Sequence, residues 1–232
     1  MQRIGILGGL SPRSTARYYD IITSTHARRC PDLSSPEIVL FSMNFKKFVE
    51  WQSAGKWDEI KEVTVSALQT IAAAGADFAL VAAGTVHHVF GALEDMSSIP
   101  LLSQIECVAD EVARRGFRTV GLLGTAFTMR ASFYQQTFER QGVRIMVPEP
   151  DEIVCIDDVI YRNLVKGVAT ESSRDAVRRA VEGLARKGAQ AVIMGCTELP
   201  EAAPDESPVP LLDVTRIHAI AALDRATSGG AA

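Results

Sequence analysis

The feature that most constrains this chain is an internal echo. Gly75-Ala76-Asp77-Phe78-Ala79-Leu80-Val81-Ala82-Ala83-Gly84-Thr85 aligns without a gap on Gly188-Ala189-Gln190-Ala191-Val192-Ile193-Met194-Gly195-Cys196-Thr197-Glu198, which sets Ala83 opposite Cys196. A second pair lies upstream of each, Ile4-Gly5-Ile6-Leu7-Gly8-Gly9 and Val120-Gly121-Leu122-Leu123-Gly124-Thr125. These runs are apolar, glycine-bounded and too short for a long helix, as buried parallel strands are. Chance likeness between such strands is the alternative. Two matches in the same order at nearly the same spacing favour two similar halves instead.

Between these anchors, strand and helix patterns alternate. Strands are expected at 4–7, 38–43, 78–82 and 101–102, with helices beginning at Ser11-Pro12 and running over 57–74 and 105–115. Ser11 suits an N-cap, with Pro12 at the first helical position. The pattern then restarts with strands at 119–123, 143–147, 191–194 and 209–212 and helices over 129–141, 151–165, 172–187 and 214–227. Such alternation implies parallel sheets with right-handed crossovers. The expected fold is α/β with two pseudo-symmetric halves, each a mainly parallel sheet flanked by helices, and an active site in the cleft between them. The first half covers 1–100 and the second 101–213, with the closing helix 214–227 packing back on the first. The tail 228–232 reads as frayed.

Composition narrows the function. The 232 residues are 47% hydrophobic and 22% charged, an ordinary globular balance. A net charge of −4 gives no support for nucleic-acid or membrane-surface binding. No apolar run approaches a spanning helix, and the start at Arg3-Ile4-Gly5 carries no signal-peptide pattern. The four cysteines, Cys30, Cys107, Cys155 and Cys196, form neither a disulfide framework nor a metal-binding pair, which suits a cytoplasmic protein. His87-His88 lacks further ligands for a metal site, so no metal is expected.

Cys196 stands apart from the other thiols. It follows a strand and Gly195, where ligands of open α/β sheets bind, beyond the carboxyl ends of the strands. Thr197 and the nearby backbone N–H groups are available there to hold an anion. A buried structural thiol is the plainer alternative. Together, Gly8-Gly9-Leu10-Ser11-Pro12 with Ser14-Thr15, then Thr85-Val86-His87, then Gly195-Cys196-Thr197-Glu198 resemble the aspartate/glutamate racemase family over essentially the whole chain. The N-terminal stretch is most similar to the aspartate racemase branch. The resemblance implies a cofactor-independent racemase of two α/β halves, a homodimer, acting on a small-molecule acid or amino acid. Members usually carry Cys-Asn-Thr-x-His at the end of the first-half strand. Here the stretch is Ala83-Gly84-Thr85-Val86-His87, so the first cysteine and its asparagine neighbour are both replaced.

That departure matters because racemisation removes a proton from Cα and returns one to the opposite face. A thiolate suits the task, its ordinary pKa near 8.5 being easily lowered by N–H groups or a cation. Cys196 would be the acid/base on one face, but alanine transfers no proton, so Thr85, His87 or a water is left for the other. The turns at Ala83, Gly84 and Thr85 and at Thr125 and Thr197 would bind the α-carboxylate and stabilise charge on it. Ser11 contacts a carboxylate or simply caps its helix. Glu198 orients a catalytic group or caps the following helix. By resemblance Lys166 supplies a cation for a distal carboxylate, with Lys46 and Lys47 as substitutes and a solvated helix-end lysine as the plainer reading. The favoured activity is racemisation of aspartate, glutamate or a similar small acid. The alternatives are a single-cysteine decarboxylase or lyase of a malonate-like acid, and a non-catalytic dicarboxylate binder.

Overall fold

A computed structural model describes residues 1–228. The chain divides into two units, one of residues 1–104 with the stretch from Thr215 onward, the other of residues 105–214.

The first unit is built on β1 (Ile4–Gly8), β2 (Ile38–Ser42), β3 (Phe78–Val81) and β4 (Leu101–Leu102), all parallel in the order β2-β1-β3-β4. Its helices are α1 (Pro12–Arg29), α2 (Phe45–Ser53), α3 (Trp57–Ala73) and α4 (Phe90–Met96). The closing helix α10 (Val214–Ser228) also belongs here from Thr215 onward. Alternate strand residues serve opposite faces of the sheet. Ile4, Ile6, Phe78 and Leu80 pack with Tyr18 and Ile22 of α1 and Ala219, Ala222 and Leu223 of α10. Leu7, Ala79 and Val81 pack with Ile60, Leu68 and Ile71 of α3. Each such large side chain, wholly buried, contributes roughly 1.5–3 kcal/mol. At the end of β1 the chain turns through Gly9 at φ +87°, and a Cβ there would collide with the Met43 carbonyl oxygen. Glycine is required there on both counts.

The second unit repeats the plan. Strands β5 (Thr119–Leu123), β6 (Arg144–Met146), β7 (Val192–Met194) and β8 (Leu211–Asp213) are parallel in the order β6-β5-β7-β8. The helices are α5 (Gln104–Arg114), α6 (Ala126–Arg130), α7 (Ser132–Glu139), α8 (Pro150–Arg162) and α9 (Glu171–Arg186), α5 starting at the last residue of the first unit. Each sheet thus has its second strand outermost and its first and third in the centre. Ala83 lies two residues beyond β3, and Cys196 two residues beyond β7.

Several local expectations change. The helix read over 129–141 is two helices, because Ala131 is extended (φ −77°, ψ 146°) between α6 and α7. The helix read over 151–165 stops at Arg162, and a 3-10 turn, Leu164–Lys166, leads into Gly167 at φ +77°. Helix α2 has no counterpart in the sequence reading. Phe45, Phe48 and Val49 do fall at helical spacing, but the element is only nine residues long and only Phe48 is buried. The stretch 84–96 is also helical, a 3-10 turn at Gly84–Val89 running into α4. Of the tail read as frayed, residues 229–232 lie outside the described residues, and Ser228 closes α10.

Candidate active site

Strand β7 ends at Met194, and the chain turns sharply through Gly195. The Gly195 N–H donates to the Leu123 carbonyl at 2.6 Å, and a Cβ on Gly195 would stand 2.8 Å from both Leu122 Cδ1 and that same carbonyl oxygen. Only a residue without a side chain passes there, so glycine places Cys196 at the strand end. Cys196 is half-buried, and its S–H donates to Glu198 Oε2 at 3.1 Å. The Thr197 hydroxyl donates to the same oxygen at 2.6 Å. Thr197 and Glu198 are both buried, and a 3-10 turn, Leu199–Ala202, follows them. The Thr197 hydroxyl is therefore directed to Glu198 rather than held out for an anion. Glu198 gathers the two donors of the turn and does not make a side-chain cap for the 3-10 turn.

Electrostatics set the resting state of the thiol. Burial, and then the adjacent Glu198 carboxylate, push Cys196 well above the ordinary thiol range, with Asp157 of α8 adding to the effect. Cys196 accordingly holds its proton at neutral pH. It is an acid until a base takes that proton, and Glu198 is the carboxylate in contact.

The neighbouring turn follows β5, which pairs with β7 so that Leu123 stands opposite Met194. Thr125 is buried there and caps α6. Its Oγ1 accepts from the Thr128 N–H at 3.3 Å and lies 3.1 Å from the Thr128 hydroxyl, while Ala126 N–H donates to Asp157 Oδ1 at 2.6 Å. Lys166 is exposed on its 3-10 turn, which packs against the 3-10 turn following Glu198.

In the first unit, Ala83 is buried and extended, and Gly84 opens the 3-10 turn. Thr85 is half-buried, and its hydroxyl makes no hydrogen bond among the described residues. It thus differs from Thr125 and Thr197, whose hydroxyls are both occupied. Ser11, on the turn after β1, is buried and caps α1, its Oγ accepting from the Ser14 N–H at 3.4 Å.

His87 is buried and stacks on Phe90 with ring centroids 4.5 Å apart. Its Nε2 accepts the Gln104 backbone N–H at 3.0 Å, which leaves the ring proton on Nδ1. Nδ1 is directed toward the Ala83 and Gly84 carbonyls without reaching hydrogen-bond geometry. Burial lowers its pKa to about 4. The imidazole is therefore neutral at pH 7, with Nε2 occupied and Nδ1 facing the Ala83–Gly84 turn. Behind it the Gln104 side-chain amide donates to Tyr18 Oη at 2.8 Å, and Tyr18 Oη lies 2.9 Å from His218 Nδ1. His218 Nε2 donates to the Leu102 carbonyl at 3.0 Å, and burial lowers the His218 pKa to about 3. No motif in the sequence marks Tyr18, Gln104, His218, Asp157 or Tyr134. A tyrosine and a histidine in apolar helix stripes are the one signal that pointed to such a network.

These arrangements describe a class, an α/β protein of two like sheets with a proton-bearing thiol at the end of one third strand and alanine at the other. The chain matches the Asp/Glu/Hydantoin racemase family over residues 7–222 and belongs to it. A candidate Asp/Glu racemase of Yersinia pestis is 33% identical, with a TM-score of 0.91 over 98% of this chain and 100% of that one. An aspartate racemase homologue from Pyrococcus horikoshii is 34% identical, with a TM-score of 0.85 over the same shares. The broad specificity amino-acid racemase RacX of Bacillus subtilis is 23% identical over 62% of this chain, a match spanning 63% of that relative's length. Among the described residues no helix is long and apolar enough to cross a membrane.

Proposed function

We propose that the protein is an isomerase that racemises a small acidic amino acid of the aspartate or glutamate kind, without a pyridoxal cofactor, by proton transfer at Cα. The observation that carries this reading is the Cys196 S–H resting on Glu198 at a strand end, within a chain of the racemase family. Glu198 takes the thiol proton, and the thiolate then removes the Cα proton of one enantiomer. The bond electrons pass into an enolate-like system with the α-carboxylate. Return of a proton on the opposite face completes inversion. Thr85, with its unoccupied hydroxyl, is the side chain offered for that face, relaying a proton from water; a hydroxyl is a far weaker acid than a thiol, so this half is the slow one. His87 positions the Ala83–Thr85 turn. Lys166 serves a distal carboxylate, and Ser11 and Thr125 shape the turns beside the two reacting segments. We propose a cytoplasmic homodimer as the working form.

A second reading is favoured by two observations taken together, a thiol that holds its proton and alanine at position 83. A lyase that releases CO₂ from a malonate-like acid generates its carbanion by carbon–carbon cleavage and needs one acid. One experiment separates the two. The protein is incubated in D₂O with aspartate, glutamate and malonate-like acids, and chirality and CO₂ are followed together. Inversion without CO₂ is expected. CO₂ release without inversion favours the lyase, and neither outcome with any acid leaves a binder.

A further inference from the structure

Tyr134, on α7, is wholly buried, and among the described residues its hydroxyl has no hydrogen-bond partner. An orphaned buried phenol costs stability that phenylalanine at the same place would not. The hydroxyl lies beside the Cys196 turn: a Cβ built on Gly195 would be 3.7 Å from it. Burial and the neighbouring Cys196 both raise its pKa, so it keeps its proton wherever the protein works. The other titratable groups acting on the thiol are Glu198 within the turn and Asp157 of α8, both acids and both opposed to a thiolate. Asp157 is already bound to the Ala126 N–H. A thiolate formed at Cys196 therefore faces two carboxylates with a backbone N–H of its own turn as support, and the phenol is a neutral donor without employment.

We propose that the Tyr134 hydroxyl donates a hydrogen bond to Cys196 when the thiolate forms, making Tyr134 a positioning residue for the reacting sulfur. The bond is absent in the resting thiol, whose own proton points to Glu198. The orphaned donor is thus a resting-state cost recovered when the anion appears. Placing unmet donors where charge will develop is how preorganised sites stabilise reactive states. The proposal rests on reading Cys196 as the reacting group, but its test needs no substrate.

The test follows alkylation of Cys196 by iodoacetamide in the full chain, read by mass spectrometry of the Cys196 peptide so that the other three cysteines do not interfere. With Tyr134→Phe the alkylation profile should move to higher pH. On its rising limb the rate should fall about tenfold or more, as expected for losing a hydrogen bond to a charged group. Tm should stay the same or rise, since an unsatisfied hydroxyl is removed. Tyr134→Leu should slow alkylation equally while lowering Tm through lost packing, which shows that the effect follows the hydroxyl. Superimposable wild-type and Tyr134→Phe profiles overturn the proposal, as does a Tyr134→Leu profile like the wild type. A displaced profile in a protein that racemises nothing supports the Tyr134 assignment and removes the racemase reading instead.

Discussion

Two of the buried histidines of the first unit, His87 and His218, make the protein acid-sensitive in a calculable way. In the unfolded chain each takes up a proton near pH 6.5, whereas in the folded protein His87 does so only at about 4 and His218 at about 3. Folded pKa values below the unfolded ones mean that their contribution is present in full above pH 6.5 and is lost as pH falls toward 4 and 3. Each pH unit below 6.5 costs about 1.4 kcal/mol per histidine. By pH 5 the two together remove about 4 kcal/mol, a large part of the 5–15 kcal/mol typical of folded proteins. Most carboxylates stay ionised above pH 5, so the window from 7 to 5 isolates the histidines. Urea unfolding at pH 7, 6 and 5 should show this loss, and His218→Gln should roughly halve the slope whatever it does to stability at pH 7. Imidazole C2–H resonances of His87 and His218 should remain unshifted over the same range. Stability that is flat between pH 7 and 5, or resonances titrating near 6.5, would refute the buried neutral network.

Other outcomes follow from the second unit and its counterpart. Glu198→Gln removes the carboxylate that opposes the thiolate, so Cys196 should alkylate at lower pH than in the wild type. Its turnover should nonetheless fall, because the group that takes the thiol proton is gone; an unmoved alkylation profile counts against the assignment. Lys166→Met should weaken binding of an acidic substrate more than of its neutral analogue in calorimetry, and an unchanged preference moves the role to Lys46, Lys47 or an arginine. Ala83→Cys should raise the inversion rate by up to the roughly 10²–10⁴-fold that a general acid or base supplies. No gain from a folded variant shows that the Ala83 turn does not serve the second face.

The strands were legible because their signal is local. Ile4–Leu7, Thr119–Leu123 and Val192–Met194 are short apolar runs beside glycine, and the same runs betray the repeat. Helix α2 was missed although Phe45, Phe48 and Val49 fall at helical spacing, because so short a run barely establishes that period. Nor was the break at Ala131, where neither glycine nor proline marks the change and tertiary packing overrides a good helix former. At the site, Gly195-Cys196-Thr197-Glu198 could be picked out, but not the directions of its side chains. Thr197 turns to Glu198 and Thr125 to Thr128, while the Thr85 hydroxyl makes no hydrogen bond among the described residues. For His87 the sequence offered a proton carrier or a structural histidine, and could not show that the Gln104 N–H, 17 residues along the chain, occupies its Nε2. Tyr134 stands 62 residues before Cys196, and only the folded chain sets its hydroxyl against Gly195.

The central claim is that Cys196 moves the Cα proton, and exchange at that carbon tests it most directly. Each enantiomer of aspartate and glutamate is incubated in D₂O with the wild type, Cys196→Ser and Cys155→Ser, and loss of the Cα–H signal is followed by NMR. The account predicts exchange of at least one enantiomer by the wild type, near-complete loss in Cys196→Ser, and wild-type behaviour in Cys155→Ser, whose altered thiol lies exposed on α8. Undiminished exchange by Cys196→Ser, or equal losses in both variants, would contradict it.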